Sequence, residues 1–239
     1  MIELTKTSIM NFENAIRGMR NPMNSWDKSD SYDWFMFEDD FKQAKKEGSI
    51  GRECVYDNNI RDHGCTFVIG QNDLKLARKL VKAGGDHRKF LRQIFVSVDI
   101  LAPLYWWKEM DQYKVGTTTN SCSTMHKIQA KAFTIDDFSH DRMGSFALES
   151  LKRTVADLEN RRQKFIETKD TAYWHDMIQL LPSSYNQLRT VTMNYENLMN
   201  MYYARRNHKL NEWHVLCYWI TTLPYLSEIC LGGEFHEQN

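Results

Sequence analysis

The chain has 239 residues, which is long enough for one large domain with a substantial core. Lysine plus arginine equals aspartate plus glutamate at 31 each, so the formal net charge is zero. We therefore expect no general electrostatic attraction to nucleic acid or to an anionic membrane. An anionic ligand must therefore be bound by a few lysine or arginine side chains at specific positions.

Cysteine usage and hydropathy argue against three further classes: disulfide-rich, zinc-ribbon and membrane-spanning proteins. Five cysteines, with no C-x-x-C pair, argue against a disulfide framework and a zinc ribbon, so we expect a reducing cytoplasm and assign no metal ligands. The most apolar run, residues 94–107, is interrupted by Asp99 and Pro103 before it could span a bilayer. Without an internal repeat or a low-complexity linker, residues 1–239 predict a single domain.

The first half of the chain predicts short elements joined by polar turns. Residues 26–37 carry several aromatic side chains in a loop, which we expect to pack down or to form a contact. The predicted regular elements are a strand at 2–4, a helix capped by Asn11 and ending near Met19, a strand at 65–69, a helix from Asn72 or Asp73 to Gly84-Gly85, and an alternating strand at 94–100.

Pro103 is suited to the first position of the next helix, which we expect to end near Tyr113, because proline lacks the N–H that would be unpaired there. Residues 117–124 then form a run of hydroxyl and amide side chains. Such a run can bind phosphate or a base through hydroxyls and backbone N–H groups, or it can be a polar loop.

The second half predicts longer helices. Residues 145–166 form an amphipathic helix, and another helix covers residues 171–180. Asn211 can cap the last one. The apolar stripe of the first of these helices consists of Phe146, Leu151, Val155, Leu158 and Phe165.

Residues 180–214 predict one long helix with polar residues inside it. Asn194, Asn197 and Asn200 recur at steps of three, although each asparagine in a helix interior costs roughly half a kcal/mol relative to alanine. In such a helix Asn194 and Arg205 point the same way, about 16 Å apart along the axis. An amide and a guanidinium there suit a heterocycle with N–H and C=O edges. The alternative is an exposed asparagine stripe that ends in solvated arginines.

This stretch resembles the C-terminal signature of the flavin-dependent thymidylate synthases, a Leu-Pro pair followed by T-x-N-x-x-x-L-x-N-x-x-x-x-R. The resemblance implies that Asn194 and Asn200 contact flavin adenine dinucleotide (FAD) and that Arg205 binds the pyrimidine nucleotide. The tryptophan that follows the signature, Trp213, lies one residue further along the chain than the family pattern places it. The matching residues are Leu181, Pro182, Thr192, Asn194, Leu198, Asn200 and Arg205.

A second family motif, Arg-His-Arg with a serine further on, is matched only in part. Aligned on Asn120, it retains Ser123 and a hydroxyl at Thr118, but Tyr113-Lys114-Val115 replaces the basic triplet. The family uses the triplet for the flavin diphosphate and the pyrimidine pocket. Each charge-assisted hydrogen bond contributes about 1.5 to 3 kcal/mol, so losing two weakens binding of a dianionic cofactor by about two to four decades.

Two further positions bear on the resemblance. His87 matches a Gly-His turn of the family and is implied to lie near the isoalloxazine, but Arg92 stands where a glutamate is expected. Ile178 occupies a position where the family often has an arginine for the nucleotide phosphate.

The resemblance implies an α+β protein with the flavin-dependent thymidylate synthase fold, a mixed or antiparallel sheet packed with long helices. It also implies a homotetramer with sites between subunits. Reduced flavin, with NADPH as reductant, supplies hydride, a folate supplies one carbon, and deoxyuridylate is methylated. The implied catalytic residues are Arg205, which polarises the pyrimidine carbonyl, and Ser123. The implied flavin ligands are His87, Asn120, Asn194 and Asn200, and the implied nucleotide ligands are Lys114, Thr118, Ser123 and Arg205.

Two alternatives stay open. The altered triplet and Ile178 favour a related flavin enzyme that acts on another pyrimidine nucleotide or uses another donor. The same losses permit a non-catalytic nucleotide-binding or assembly protein on the same fold, because function resides in the site rather than in the fold.

Overall fold

A computed structural model describes residues 1–35 and 65–232 of the chain. Within these residues the protein is α+β, as expected. The strands are β1 (Glu3–Met10), β2 (Tyr32–Phe35), β3 (Cys65–Val68), β4 (Phe95–Pro103), β5 (Thr118–Ser121) and β6 (Asn186–Asn194). The α-helices are α1 (Phe12–Gly18), α2 (Gln71–Ala83), α3 (Leu104–Met110), α4 (Ser145–Thr168), α5 (Thr171–Leu180), α6 (Tyr195–Arg205), α7 (Asn211–Thr222) and α8 (Leu226–Cys230).

The described strands form two sheets. The larger is a four-stranded antiparallel sheet in the order β1-β4-β6-β5, which places the polar strand β5 at one edge. The smaller pairs β2 with β3 in antiparallel register, with Tyr32 opposite Val68. Strand β4 alternates as predicted: Val96, Val98 and Ile100 are buried, whereas the opposite face is only partly covered.

The chain divides into two compact units, and the single-domain expectation stays a prediction. The first unit comprises residues 1–6 and 98–191, and the second comprises residues 7–97 and 192–239. Strands β1, β4 and β6 each contain one of these boundaries.

The prediction of one helix over residues 180–214 is wrong. Helix α5 ends at Leu180, β6 follows after a short connection, and α6 begins only at Tyr195. The pattern of β6 has period two, because Val191 and Met193 are fully buried while Leu188 is 38% exposed. A short apolar run does not by itself distinguish helix from strand, and here pairing in the sheet decides.

The core of the first unit lies where α4 and α5 pack together. The turn between them uses Lys169 in the left-handed conformation (φ 61°), and the Asp170 side chain accepts a hydrogen bond from Ala172 N at 2.9 Å. The predicted stripe is confirmed at Leu151, Val155 and Leu158, but Phe146 is 91% exposed. Phe146 lies in the first turn of α4, beyond the end of the packed surface.

The structure also differs from two smaller predictions, the helix cap at Asn11 and the aromatic loop at residues 26–37. The Asn11 side chain donates to Gln93 O at 2.9 Å and makes no cap bond to α1. The prediction of a loop over residues 26–37 is wrong at residues 32–35, which form β2. Trp26 and Tyr32 are 51% and 55% exposed, so they do not pack into a core, and residues 36 and 37 lie outside the described part of the chain.

Glu159 ties the segment before α4 to that helix. Its carboxylate accepts hydrogen bonds from Phe133 N at 2.9 Å, from Arg162 at 2.7 and 2.8 Å, and from Gln163 at 2.7 Å. The Arg162 hydrogen bonds are the main cause that lowers the pKa of Glu159 to about 2, and the Phe133 and Gln163 donors add to it.

We expect Glu159→Gln to destabilise the protein by about 1 to 2 kcal/mol at pH 7. This is less than the free energy that corresponds to the lowered pKa, because the Glu159 side chain is 27% exposed and solvent screens its interactions. A lowered pKa gives stability that is present above the unfolded-state pKa and is lost as pH falls. The difference between wild type and variant should therefore shrink from about pH 4.5 towards pH 2. Urea unfolding at several pH values measures it.

Glu149→Gln is the matched control on the same helix. Glu149 is 56% exposed and lies 3.8 Å from Arg153, so we expect a change below about 0.5 kcal/mol. A Glu159→Gln deficit that stays constant from pH 7 to pH 2 would contradict the assignment.

Candidate functional site

Asn194 lies at the junction of β6 and α6, where it caps the helix. Its Oδ1 accepts from Asn197 N at 3.0 Å, and Asn197 Oδ1 accepts from Asn194 N at 3.2 Å. This reciprocal pair satisfies a helix N–H that would otherwise lack an acceptor. Asn194 is 7% exposed, and among the described residues its Nδ2 has no hydrogen-bond partner. Only the side-chain N–H groups of Asn194 are thus unused by the described residues, because its backbone N–H donates to Asn197.

Glu196, in the first turn of α6, binds two arginines of the turn that carries His87. Arg88 Nε donates to Glu196 Oε1 at 2.9 Å, and Arg92 Nε donates to Oε2. Burial by itself would raise the pKa of Glu196, but the hydrogen bonds from Arg92 and Arg88 outweigh it and hold that pKa below its usual value. The ionised carboxylate joins the exposed His87 turn to the N-terminus of the helix that Asn194 caps.

Arg205 is the last residue of α6, and its guanidinium carbon lies 4.6 Å from the centroid of the Trp213 ring. Trp213 is fully buried in α7, and the centroids of the His208 and Trp213 rings lie 6.1 Å apart in an edge-to-face arrangement. The extra residue before Trp213 therefore does not separate the indole from the arginine. Stacking on an indole face restricts the orientation of a guanidinium and does not itself use the N–H groups, which point outward in the guanidinium plane.

Asn200 differs from Asn194 in its surroundings. It is exposed on α6, whereas Leu198 and Met201 on the same helix are fully buried. The cost that helix-interior asparagines carry is thus avoided at Asn194 by capping, whereas Asn200, at an exposed position inside α6, retains it.

The site residues expected in the first unit lie on or near the edge strand β5. Thr118, the first residue of β5, and Asn120 within the strand are both exposed. Lys114, which precedes the strand, is exposed as well. Ser123 follows the strand, and its Oγ accepts from His126 N at 2.9 Å. In the described part of the chain, Thr117 Oγ1 is buried without a hydrogen-bond partner. A buried hydroxyl without a partner is uncommon in proteins, and this one immediately precedes the exposed polar strand β5.

Ile178 is partly buried and packs against the core cluster of the first unit, which contains Leu158 and Met177. The position where the family often has a phosphate-binding arginine therefore borders an apolar core here. As far as the structure describes the chain, that cluster consists of apolar and aromatic side chains.

The expected site residues fall into two groups. His87, Asn194, Asn200 and Arg205 belong to the second unit, and Lys114, Thr118, Asn120 and Ser123 belong to the first. Within the second unit the structure brings the His87 turn to the Asn194 cap. That the two groups share one site stays a prediction.

Sequence reasoning missed the roles of Glu196, Arg88 and Asn197. The signal for Asn197 was available, because an asparagine three residues after a capping asparagine resembles a capping box. Nothing local connects Arg88 to Glu196, which lies more than a hundred residues further along the chain.

Residues 1–35 and 65–232 provide neither a metal-binding cluster nor a membrane-spanning helix. Within these ranges no cluster of histidine, cysteine and carboxylates is suited to a metal ion. Among the helices described above, none is long and apolar enough to cross a membrane.

The architecture defines a class: an α+β protein with the fold of the flavin-dependent thymidylate synthases. No protein-family model and no curated protein matches the sequence. The structure is similar to the flavin-dependent thymidylate synthase ThyX from Helicobacter pylori complexed with FAD and dUMP, with a TM-score of 0.62 and 15% identity, over 98% of this chain and 100% of that one.

A second solved structure shares the fold. The UMP/dUMP methylase PolB from Streptomyces cacaoi, bound with 5-Br dUMP, matches with a TM-score of 0.55 and 12% identity, over 97% of this chain and 94% of that one. The resemblance inferred from residues 181–205 is thus confirmed at the level of the fold.

The two motif asparagines should respond differently to substitution. We expect Asn194→Ala to destabilise the protein by about 0.5 to 2 kcal/mol, because it removes the helix cap. Asn200→Ala, at an exposed helix position, should be neutral or stabilise by up to about 0.5 kcal/mol. Chemical denaturation of both variants measures the difference, and equal losses would show that Asn200 also has a structural role.

Proposed function

We propose that this protein is a divergent flavin-dependent thymidylate synthase, which binds FAD and a deoxyuridine nucleotide and methylates the pyrimidine ring at its fifth carbon. A folate is the proposed one-carbon donor and NADPH the proposed source of electrons. The observation that carries the proposal is the fold similarity to a ThyX that was solved with FAD and dUMP, over nearly the full length of both chains. The signature residues from Leu181 to Arg205 support it.

In this proposal Arg205 binds and polarises a carbonyl of the pyrimidine. Its stack on Trp213 is the supporting contact, because a guanidinium held on an indole face loses less freedom when it binds a carbonyl edge. Polarising a carbonyl by a preorganised cation lowers the energy of charge that develops on the ring.

Asn194 and Asn200 are the proposed flavin contacts on α6, with His87 and Asn120 as further ones. The flavin, when bound, supplies the hydride chemistry, and the chain supplies binding and orientation. The available Nδ2 of Asn194 fits a ligand with carbonyl or ring-nitrogen acceptors. The exposed Asn200 amide and the exposed His87 ring are accessible to such a ligand.

Ser123, Thr118 and Lys114 are the proposed nucleotide contacts of the first unit. Ser123 Oγ already accepts a backbone N–H, so its own hydrogen can be donated to a phosphate or carbonyl oxygen. Lys114 supplies one positive charge before the hydroxyl-rich strand β5. Both features are compatible with binding of a nucleotide phosphate.

A second candidate is methylation of another pyrimidine nucleotide. We base it on two departures from the family motifs, Ile178 and Tyr113-Lys114-Val115. PolB shows that this fold also occurs in a UMP/dUMP methylase. A thermal-shift panel of dUMP, UMP and dCMP separates the candidates: stabilisation by dUMP supports the first, and preference for another nucleotide supports the second.

We also propose a homotetramer in the cytoplasm, as the family resemblance implies. Size-exclusion chromatography with light scattering measures the assembly, and a monomer that retains activity would contradict it.

The purified protein should show flavin absorbance, or acquire it with added FAD, and should release tritium from nucleotide labelled at the fifth carbon. Arg205→Ala should lower kcat/KM by about a hundredfold or more and leave flavin binding intact, because its proposed contact is to the pyrimidine. The neighbouring Arg206→Ala, whose guanidinium lies 5.4 Å from the Tyr203 ring centroid, is the matched control.

A colourless protein that neither takes up flavin nor releases tritium would exclude the proposal. If Arg205→Ala left nucleotide binding and biological effect unchanged, the non-catalytic alternative would be favoured.

A further inference from the structure

Arg88 has a largely buried side chain, and only one of its guanidinium nitrogens makes a hydrogen bond to the described residues. Its side chain is 24% exposed, and its Nε donates to Glu196 Oε1 at 2.9 Å. Among the residues that the structure describes, neither Nη1 nor Nη2 of Arg88 has a hydrogen-bond partner. A guanidinium fixed at its Nε with both terminal nitrogens unused is ready to make a bidentate contact.

Arg88 has charged neighbours of both signs: Glu196 binds it directly, and Arg88 and Glu228 both act electrostatically on the Cys230 thiol. Arg92 binds the other oxygen of Glu196, so one carboxylate faces two guanidinium groups. Asp86 acts electrostatically on Arg92, but it is exposed. The N-terminus of α6 adds partial positive charge beside Glu196. Glu196 therefore orients the two arginines without neutralising them.

This cluster adjoins the Asn194 cap. Glu196 is two residues after Asn194, and Tyr195 N donates to Ile94 O at 3.1 Å, directly after the turn that carries both arginines. An anion bound by Arg88 would therefore lie near the proposed flavin contacts of the second unit, Asn194 and His87.

We propose that Arg88, oriented by Glu196 and assisted by Arg92, binds the diphosphate of the dinucleotide ligand. It replaces a cation that is missing where Tyr113-Lys114-Val115 stands. The inference rests on the proposed flavin-dependent function, and it adds residues that the family motifs do not contain. The proposal also explains why an arginine, Arg92, occupies the position expected for a glutamate. Arg92 shares Glu196 with Arg88, and the Nη groups of Arg88 remain for the ligand.

The test compares FAD with riboflavin, which lacks phosphate. Arg88→Gln should weaken FAD binding by roughly 10- to 100-fold, the effect of one charge-assisted contact, and should leave riboflavin binding unchanged. Arg88→Lys, which keeps the charge but loses the fork, should recover part of the FAD affinity. Arg78→Gln is the matched control, because Arg78 is an arginine of the same unit whose Nε donates to Glu228 O at 2.7 Å.

Parallel losses of FAD and riboflavin affinity, or unchanged FAD affinity, would overturn the inference. Should wild-type protein bind no flavin at all, the proposed function fails, and inorganic pyrophosphate then tests Arg88 by itself. Pyrophosphate should raise the Tm of wild type and of Arg78→Gln but not that of Arg88→Gln. No rise in wild type would refute the diphosphate site.

Discussion

The contact between Glu196 and the two arginines of the preceding turn organises the part of the molecule that carries the motif. One carboxylate fixes Arg88 and Arg92, and through them the turn of His87, at the N-terminus of α6. A partly buried carboxylate stays ionised only when donors compensate its desolvation, and here two guanidinium groups do so. The position of the His87 turn relative to α6 therefore depends on charge as well as on packing.

Asn194 gives the same junction its second constraint. By capping α6 with its Oδ1 it ends β6 and starts the helix, and its side-chain N–H groups make no hydrogen bond to the described residues. At the other end of α6, Trp213 holds Arg205 by its indole face. The helix thus presents an amide at its start and a guanidinium at its end, about 16 Å apart, which suits an elongated ligand or two adjacent ones.

The departures from the family motifs acquire physical explanations in the structure. Ile178 is partly buried against the apolar core that α4 and α5 form, where an apolar side chain is favoured. Arg92 replaces an expected glutamate, yet Glu196 supplies a carboxylate to the same cluster from α6. Val115, in the place of a basic residue, is 88% exposed and contributes neither charge nor core packing. A site built on this fold must therefore obtain its cations elsewhere in the chain.

The sequence by itself determined the features that depend on local pattern. These are the amphipathic helix α4, the turn after α5 at Leu181-Pro182, and the spacing from Asn194 to Arg205 that pointed to the fold. Tertiary structure decided the rest. Residues 186–194 carry a pattern that fits a buried helix or a strand, and only pairing in the sheet made them β6. The exposure of Phe146 and the Arg88–Glu196 contact also depend on which surfaces meet, and residues this far apart in sequence leave no local signal of that.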